Sequence, residues 1–292
     1  MKKLIALLLA VMMIVTCFAA CKKNETQDTI PEGPGETGAE GPIDEQEGPG
    51  ETDAEGPVDS DLAYVKDKGT LIVGITDYEP MDFKGEDGKW TGFDAEFAEL
   101  FAKELGVEVA FFELADWDSK FMELSTFNID CIWNGMTITD EVTLNTNCSD
   151  AYVKNAQVVV MKADKLASFT DFESMKKLTF AAEGGSAGAA ALEENGITDY
   201  VKKENQAGAL LEVKSGTADA AVIDITMANA MTGTGSSYAD LGYSLELTTE
   251  EYGVGFRKDS DMTAKFNEVM AKFMEDGTLD ALAEKYELTL VK

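Results

Sequence analysis

Histidine is absent from the 292 residues, and arginine occurs once, as Arg257. The first absence removes Ser-His-Asp and Cys-His nucleophile systems, histidine general bases and histidine-containing zinc sites together. The second leaves at most one guanidinium to clamp an anionic ligand. Positive charge is scarce throughout: 24 Lys and Arg stand against 55 Asp and Glu, a formal charge of -31. Binding nucleic acid through its phosphates needs clustered cations, so no nucleic-acid partner is expected. The four cysteines form no C-x-x-C motif and no clustered ligand pattern, so neither a metal nor a cofactor is expected. Two of them, Cys131 and Cys148, fall in the globular part. They form either a disulfide, permitted by an oxidising exterior, or two small buried side chains. Beyond the N-terminus no apolar run is long enough to span a bilayer.

What is present falls into three parts. Lys2 and Lys3 precede a short apolar run from Leu4 to Phe18, with small residues after it. This reads as a secretory signal peptide over residues 1–20. It ends Phe18-Ala19-Ala20-Cys21, which resembles a bacterial lipobox with Phe18 where Leu is more usual. The resemblance implies cleavage before Cys21 and attachment of diacylglycerol and palmitate, hence a lipid anchor at the outer face of the cell membrane. Ordinary cleavage after Ala20 is the alternative. Acyl chains contribute roughly 0.8 kcal/mol per buried methylene, so several hold a protein at a membrane. Residues 21–61 read as a disordered acidic Gly/Pro/Glu linker. EGPGETGAEGPID at 32–44 returns as EGPGETDAEGPVD at 47–59, and five of the six prolines lie between 31 and 57. Such composition cannot bury enough surface to offset its ordering entropy.

From Leu62 the pattern is that of an α/β protein. Leu71–Ile75, Val107–Phe112, Ile129–Trp133, Gln157–Met161, Leu178–Ala182, Ala220–Ile223 and Tyr252–Phe256 read as strands. Helices are predicted at Phe93–Leu105, Phe121–Phe127, from Thr139, and at Ser186–Glu194, Ala207–Lys214, Thr226–Met231, Met262–Met274 and Leu279–Tyr286. The alternation predicts mainly parallel sheets covered on both faces, in two lobes: 62–157 with 253–292, and 158–252.

Seven segments carry a further likeness: VGITDYEPM, GKWTGFDAEFAELFAKELGVEV, NIDCIWNGMTIT, SDAYVKNAQVVV, SGTADAAVIDITMA, YGVGFRK and DGTLDALAEKY. In order and spacing, from about Leu71 to Leu288, the chain resembles the extracytoplasmic solute-binding proteins of ABC importers, in the polar amino acid group (family 3). The resemblance implies a two-lobed, type II periplasmic-binding-protein fold. Two crossing strands are expected near Gln157–Lys162 and Leu247–Gly253. It also implies a monomer that captures a small polar amino acid or related amine in the cleft, without transforming it, and delivers it to the permease's transmembrane subunits. A sensory lipoprotein, or a dehydratase-like enzyme on the same fold, is the alternative.

By position, the resemblance places Tyr78 and Trp117 as aromatic surfaces on the solute; each has plain core packing as its alternative. Asn134, Gly135 and Thr137 follow a strand, where ligands of α/β sheets sit, or form only a turn. Glu183, Ser186 and Ala187 lie between a strand and a helix, where free amides attract an anion, although Ser186 is also a natural N-cap. Asp224 matches the family's ammonium-binding acid, or caps the next helix. One departure stands out. The family motif normally continues TITxER, its arginine clamping the solute's α-carboxylate; here Val142 holds that place. Backbone amides with Ser186 and Thr137, a lysine such as Lys154, or a cationic solute without that carboxylate are the three readings. The acids Asp77, Glu141, Glu183 and Asp224 around the expected mouth speak for the third.

Overall fold

The computed structural model describes residues 60–292. The signal peptide, Cys21 and nearly all of the acidic linker lie outside the described residues.

Two five-stranded sheets divide the chain. In the first, Thr70–Ile75 lies between Glu108–Glu113 and Cys131–Ile132, parallel to both. Gly255–Phe256 then runs antiparallel between Cys131–Ile132 and Asn147–Cys148. In the second, Val201–Lys203, Phe180–Glu183 and Ala220–Asp224 are parallel neighbours. Gln157–Lys162 pairs antiparallel with Ala220–Asp224 and with Leu241–Glu246. Each sheet is therefore three parallel strands extended by two of mixed direction. The antiparallel members are where the chain arrives from the other lobe, travelling against the βαβ units already there.

The passage between sheets is a separate two-stranded ribbon, Val153–Asn155 against Glu250–Tyr252. The outward crossing thus lies a few residues before Gln157–Lys162, which belongs wholly to the second sheet. The return crossing lies inside Leu247–Gly253. The expected single strand Tyr252–Phe256 is broken in two, because its first residue belongs to the ribbon and Gly255–Phe256 to the first sheet.

Local sequence explains the helices that matter for the site. Phe93–Leu105 buries Phe93, Phe97, Phe101 and Leu105 along one face and ends at Gly106, whose left-handed φ of 78° lets its amide close on Ala102 and Lys103. The C-terminal helices Met262–Glu275 and Thr278–Lys285 return to pack on it. There Phe97, Trp133 and Phe266 meet edge to face at 4.9 and 5.0 Å. Cys131 and Cys148 are free, in strands separated by Gly255–Phe256. Two strand spacings, about 9–10 Å, exceed the reach of a disulfide.

Arg257 is structural. Its Nε donates to both carboxylate oxygens of Asp61 at 3.1 Å, and its other nitrogens reach the carbonyls of Leu124 and Ile129 and the carboxylate of Asp130. Asp130 is 1% exposed and also holds Lys68. Removing the guanidinium would strand the buried Asp61 carboxylate and leave Asp130 with Lys68 as its one cation, which costs about 3–5 kcal/mol. Arg257→Met should therefore lose stability of about that size in urea unfolding, with ligand affinity intact. An unchanged urea midpoint would refute the assignment.

Candidate ligand-binding site

A cavity of about 270 Å³ lies between the two sheets, and all nine sequence-predicted site residues line it. The first lobe supplies Tyr78 after its first strand, Trp117, and the loop Asn134, Gly135 and Thr137 beyond the short strand Cys131–Ile132. The second supplies Glu183, Ser186 and Ala187 at the end of Phe180–Glu183, and Asp224 at the end of Ala220–Asp224. These are the carboxyl ends of parallel strands, where loops converge and backbone groups are free. Gly135 has φ 55°, and a Cβ there would stand 2.5 Å from the Tyr78 ring. Only glycine fits both the backbone and that contact.

The individual roles differ from what position alone implies. Tyr78 bonds through its hydroxyl to Thr226 of the second lobe and to Tyr252 of the ribbon, so it ties the walls together. Trp117 already carries a cation: the Lys120 ammonium lies 4.9 Å from its ring. Thr137 donates to Glu250 at 2.8 Å. Ser186 donates to the Glu183 carbonyl at 2.8 Å and accepts from the Ala189 amide at 3.1 Å, capping helix Ala187–Glu194. Its hydroxyl is committed to the helix, and the helix amides become the donors that face the cavity. Asp224 sits at an N-cap position without making the cap bond. Its carboxylate accepts instead from Asn155, Gln157 and Gln206.

Those three amides, with Glu250, form a layer beneath the cavity that sequence position does not reveal. Glu250 accepts from Asn155 and Gln157 at 2.6 Å each. Lys154, between Val153 and Asn155, faces the other way along the ribbon and does not line the cavity. Asp77 is also absent from the lining, beside Glu113 and Lys84 instead. Val142 does line it, packed in an apolar cluster with Trp117 and Met136. Lys120, three residues after Trp117, is the cation that sequence reading overlooked; its spacing within DWDSK was the available signal.

Acidic groups dominate the lining: Asp140, Glu141, Glu183, Glu194 and Asp224 face one lysine. Burial pushes Glu183 well above the usual carboxylate range, with the Asp224 charge adding to it. Burial, then the charge of Glu250, raises Asp224 to about 7 against the pull of its three amide donors. One oxygen of Glu183 is buried without a partner. Burial and mutual repulsion favour the protonated acids; a cationic occupant reverses that preference.

The matches to known proteins agree with this geometry. Residues 71–289 match the model of the bacterial extracellular solute-binding proteins, family 3. The L-cystine-binding protein TcyJ of Escherichia coli is 30% identical over 227 residues, covering 76% of this chain and 84% of its own. A mutant of arginine-bound ArgBP from T. maritima shares 32% identity with a TM-score of 0.68, covering 73% of this chain and 99% of its own. A substrate-binding protein of an ABC uptake transporter from Streptococcus pneumoniae, with bound histidine, shares 28% identity with a TM-score of 0.71, covering 78% and 96%.

An aspartate whose folded pKa is raised contributes stability that is complete below its unfolded pKa of about 3.9 and is lost as pH rises through about 7. The ligand-free protein should therefore lose stability over that interval, and Asp224→Asn should lose less. Affinity for an ammonium ligand should run the opposite way in the parent, rising from about pH 5 to about pH 8, and be weaker and less steep in Asp224→Asn, where Glu183 alone remains to titrate. Parallel pH slopes in the two proteins would remove Asp224 from the site. With its lobes meeting over an acid-lined cavity at the strand ends, the chain belongs to the bacterial extracellular solute-binding proteins, family 3.

Proposed function

We propose that the chain captures a single amino acid, with basic side chains favoured, and hands it to the transmembrane permease subunits of an ABC importer. The observation that carries the substrate class is the lining, five carboxyl groups against one ammonium in a cavity closed by both lobes. Glutamate and aspartate would add a carboxylate to that field, whereas lysine, arginine or histidine would place a cation in it. The volume suits one amino acid and lies at the small end of ligand pockets, roughly 300–1,000 Å³. Asp224 receives the α-ammonium, and the Tyr78 ring and the loop Asn134, Gly135 and Thr137 form the first-lobe wall. Glu183, Ser186 and Ala187 face them from the second lobe, and Trp117 supports Lys120 from below. The residues serve recognition: they hold and desolvate the solute without turning it over.

The chain works as a monomer, lipid-anchored through Cys21 at the outer face of the membrane, with residues 21–61 as the tether. Calorimetry with the twenty amino acids and the common polyamines should give micromolar or tighter binding, about -8 kcal/mol, for a basic amino acid. Silence from the whole panel would end the capture reading. For the anchor, the full-length chain expressed in a bacterium should partition into the detergent phase, and Cys21→Ser should move it to the aqueous phase. Equal partition of the two would dismiss the lipid.

A further inference from the structure

Lys120 is the only cation among the residues lining the cavity, and its neighbours do not neutralise it. It is 2% exposed, yet it makes no ion pair among the described residues. Its ammonium donates at 3.2 Å to the carbonyls of Trp117 and Gly185, one from each lobe. Both acceptors are neutral, and one N–H remains for an occupant. The rings of Trp117 and Phe121 lie 4.9 and 4.5 Å from Nζ and offset part of the lost hydration without cancelling the charge. The acids that act on it through space do not touch it, and Asp118, one of them, is bonded to Lys202. A buried ammonium in this state wants an anion.

The cavity offers other unused donors. Helix Ala187–Glu194 begins beside Gly185, and the amide of Ala187 has no acceptor within the helix. Nδ2 of Asn134 is buried without a partner. Asp224 and Glu183, by contrast, are acceptors. The cavity therefore has groups for a carboxylate and groups for an ammonium.

We propose that Lys120 is the specificity-determining cation of the cavity, its ammonium and the Ala187 amide together holding the carboxylate of the captured solute. This rests on the capture reading above and narrows it: the solute is an α-amino acid, and carboxylate-free amines such as polyamines are rejected. It also accounts for Val142. That wall is apolar, and the positive charge reaches the carboxylate from the turn after Trp117 instead. Because the ammonium bridges carbonyls of both lobes, a carboxylate bound there contacts the seam between them.

The test pairs each amino acid that binds in the panel with its primary amide, beginning with L-arginine and L-argininamide. The parent protein should bind the acid at least about 100-fold more tightly than the amide. Lys120→Met and Lys120→Gln should reduce that ratio to less than about 10-fold by weakening the acid alone, with the amide changed by less than about threefold. The ligand-free melting temperature should be unchanged or higher, since an unpaired buried charge has been removed. Equal binding of acid and amide by the parent would overturn the proposal while leaving solute capture intact. So would full discrimination retained in either folded variant. Failure of every free amino acid to bind would instead defeat the capture reading, and this proposal with it.

Discussion

The ribbon of Val153–Asn155 against Glu250–Tyr252 is the constraint on which the site depends. It is the passage between two sheets that otherwise have separate topologies, and its side chains bond to residues that line the cavity. Alternation along a strand sends Asn155 and Glu250 to one face and Lys154 and Glu251 to the other. The inward pair bonds to each other, Asn155 to Asp224, and Glu250 to Thr137. Tyr252 meets Tyr78 from the first lobe and Thr226 from the second. A register slip of one residue would turn Asn155 and Glu250 outward and bring a lysine in. The connection is the support on which the recognition surface rests.

How much of this is legible in the sequence depends on the range of the interaction that decides it. The helix Phe93–Leu105 is local: apolar residues recur at helical spacing and Gly106 ends it, so its bounds can be read directly. The nine predicted positions lie on turns after strands, and turn position follows from the order of elements. The side-chain duties were legible only in part, as the N-cap alternative for Ser186 shows. Ser186 and Thr137 each carry a hydroxyl suited to a ligand, but in three dimensions both are taken, by a helix end and by Glu250. Asn155, Gln157 and Gln206 are ordinary polar residues in the sequence and converge on Asp224 only because two strands and a helix far apart in the chain meet there. Two-residue strands such as Cys131–Ile132 are too short for any period to show.

The acidity of the chain has two separate meanings. Most of it is exposed, with ion pairs such as Lys84 with Glu113 open to water, and contributes little to stability. A smaller part is buried and expensive. Under the Gly135 turn, Asp94 accepts from the Gly135 amide at 2.6 Å and from the Tyr152 hydroxyl at 2.8 and 2.9 Å. Burial still pushes it up to about 7, and its neighbour Asp82, buried without a hydrogen-bond partner, well above the usual range. Asp94 braces the loop that carries Asn134 and Gly135.

Asp224 and Glu183 share that chemistry but line a space that a solute can enter. Two ionised carboxylates at that depth are opposed by desolvation and by each other, which raises both toward the protonated form. A ligand ammonium takes over the neutralising task, and the protons leave. On the proposed capture of a cationic solute, binding is thereby coupled to proton release, in the direction set by the raised pKa values of both groups. The same coupling separates solutes. A neutral molecule leaves the protons where they are and gains only contact. An anion meets acids that cannot ionise beside it. A basic amino acid satisfies both acids and, through its carboxylate, the unpaired ammonium of Lys120. Selectivity in this reading comes from the protonation cost of the empty cavity as much as from any single hydrogen bond.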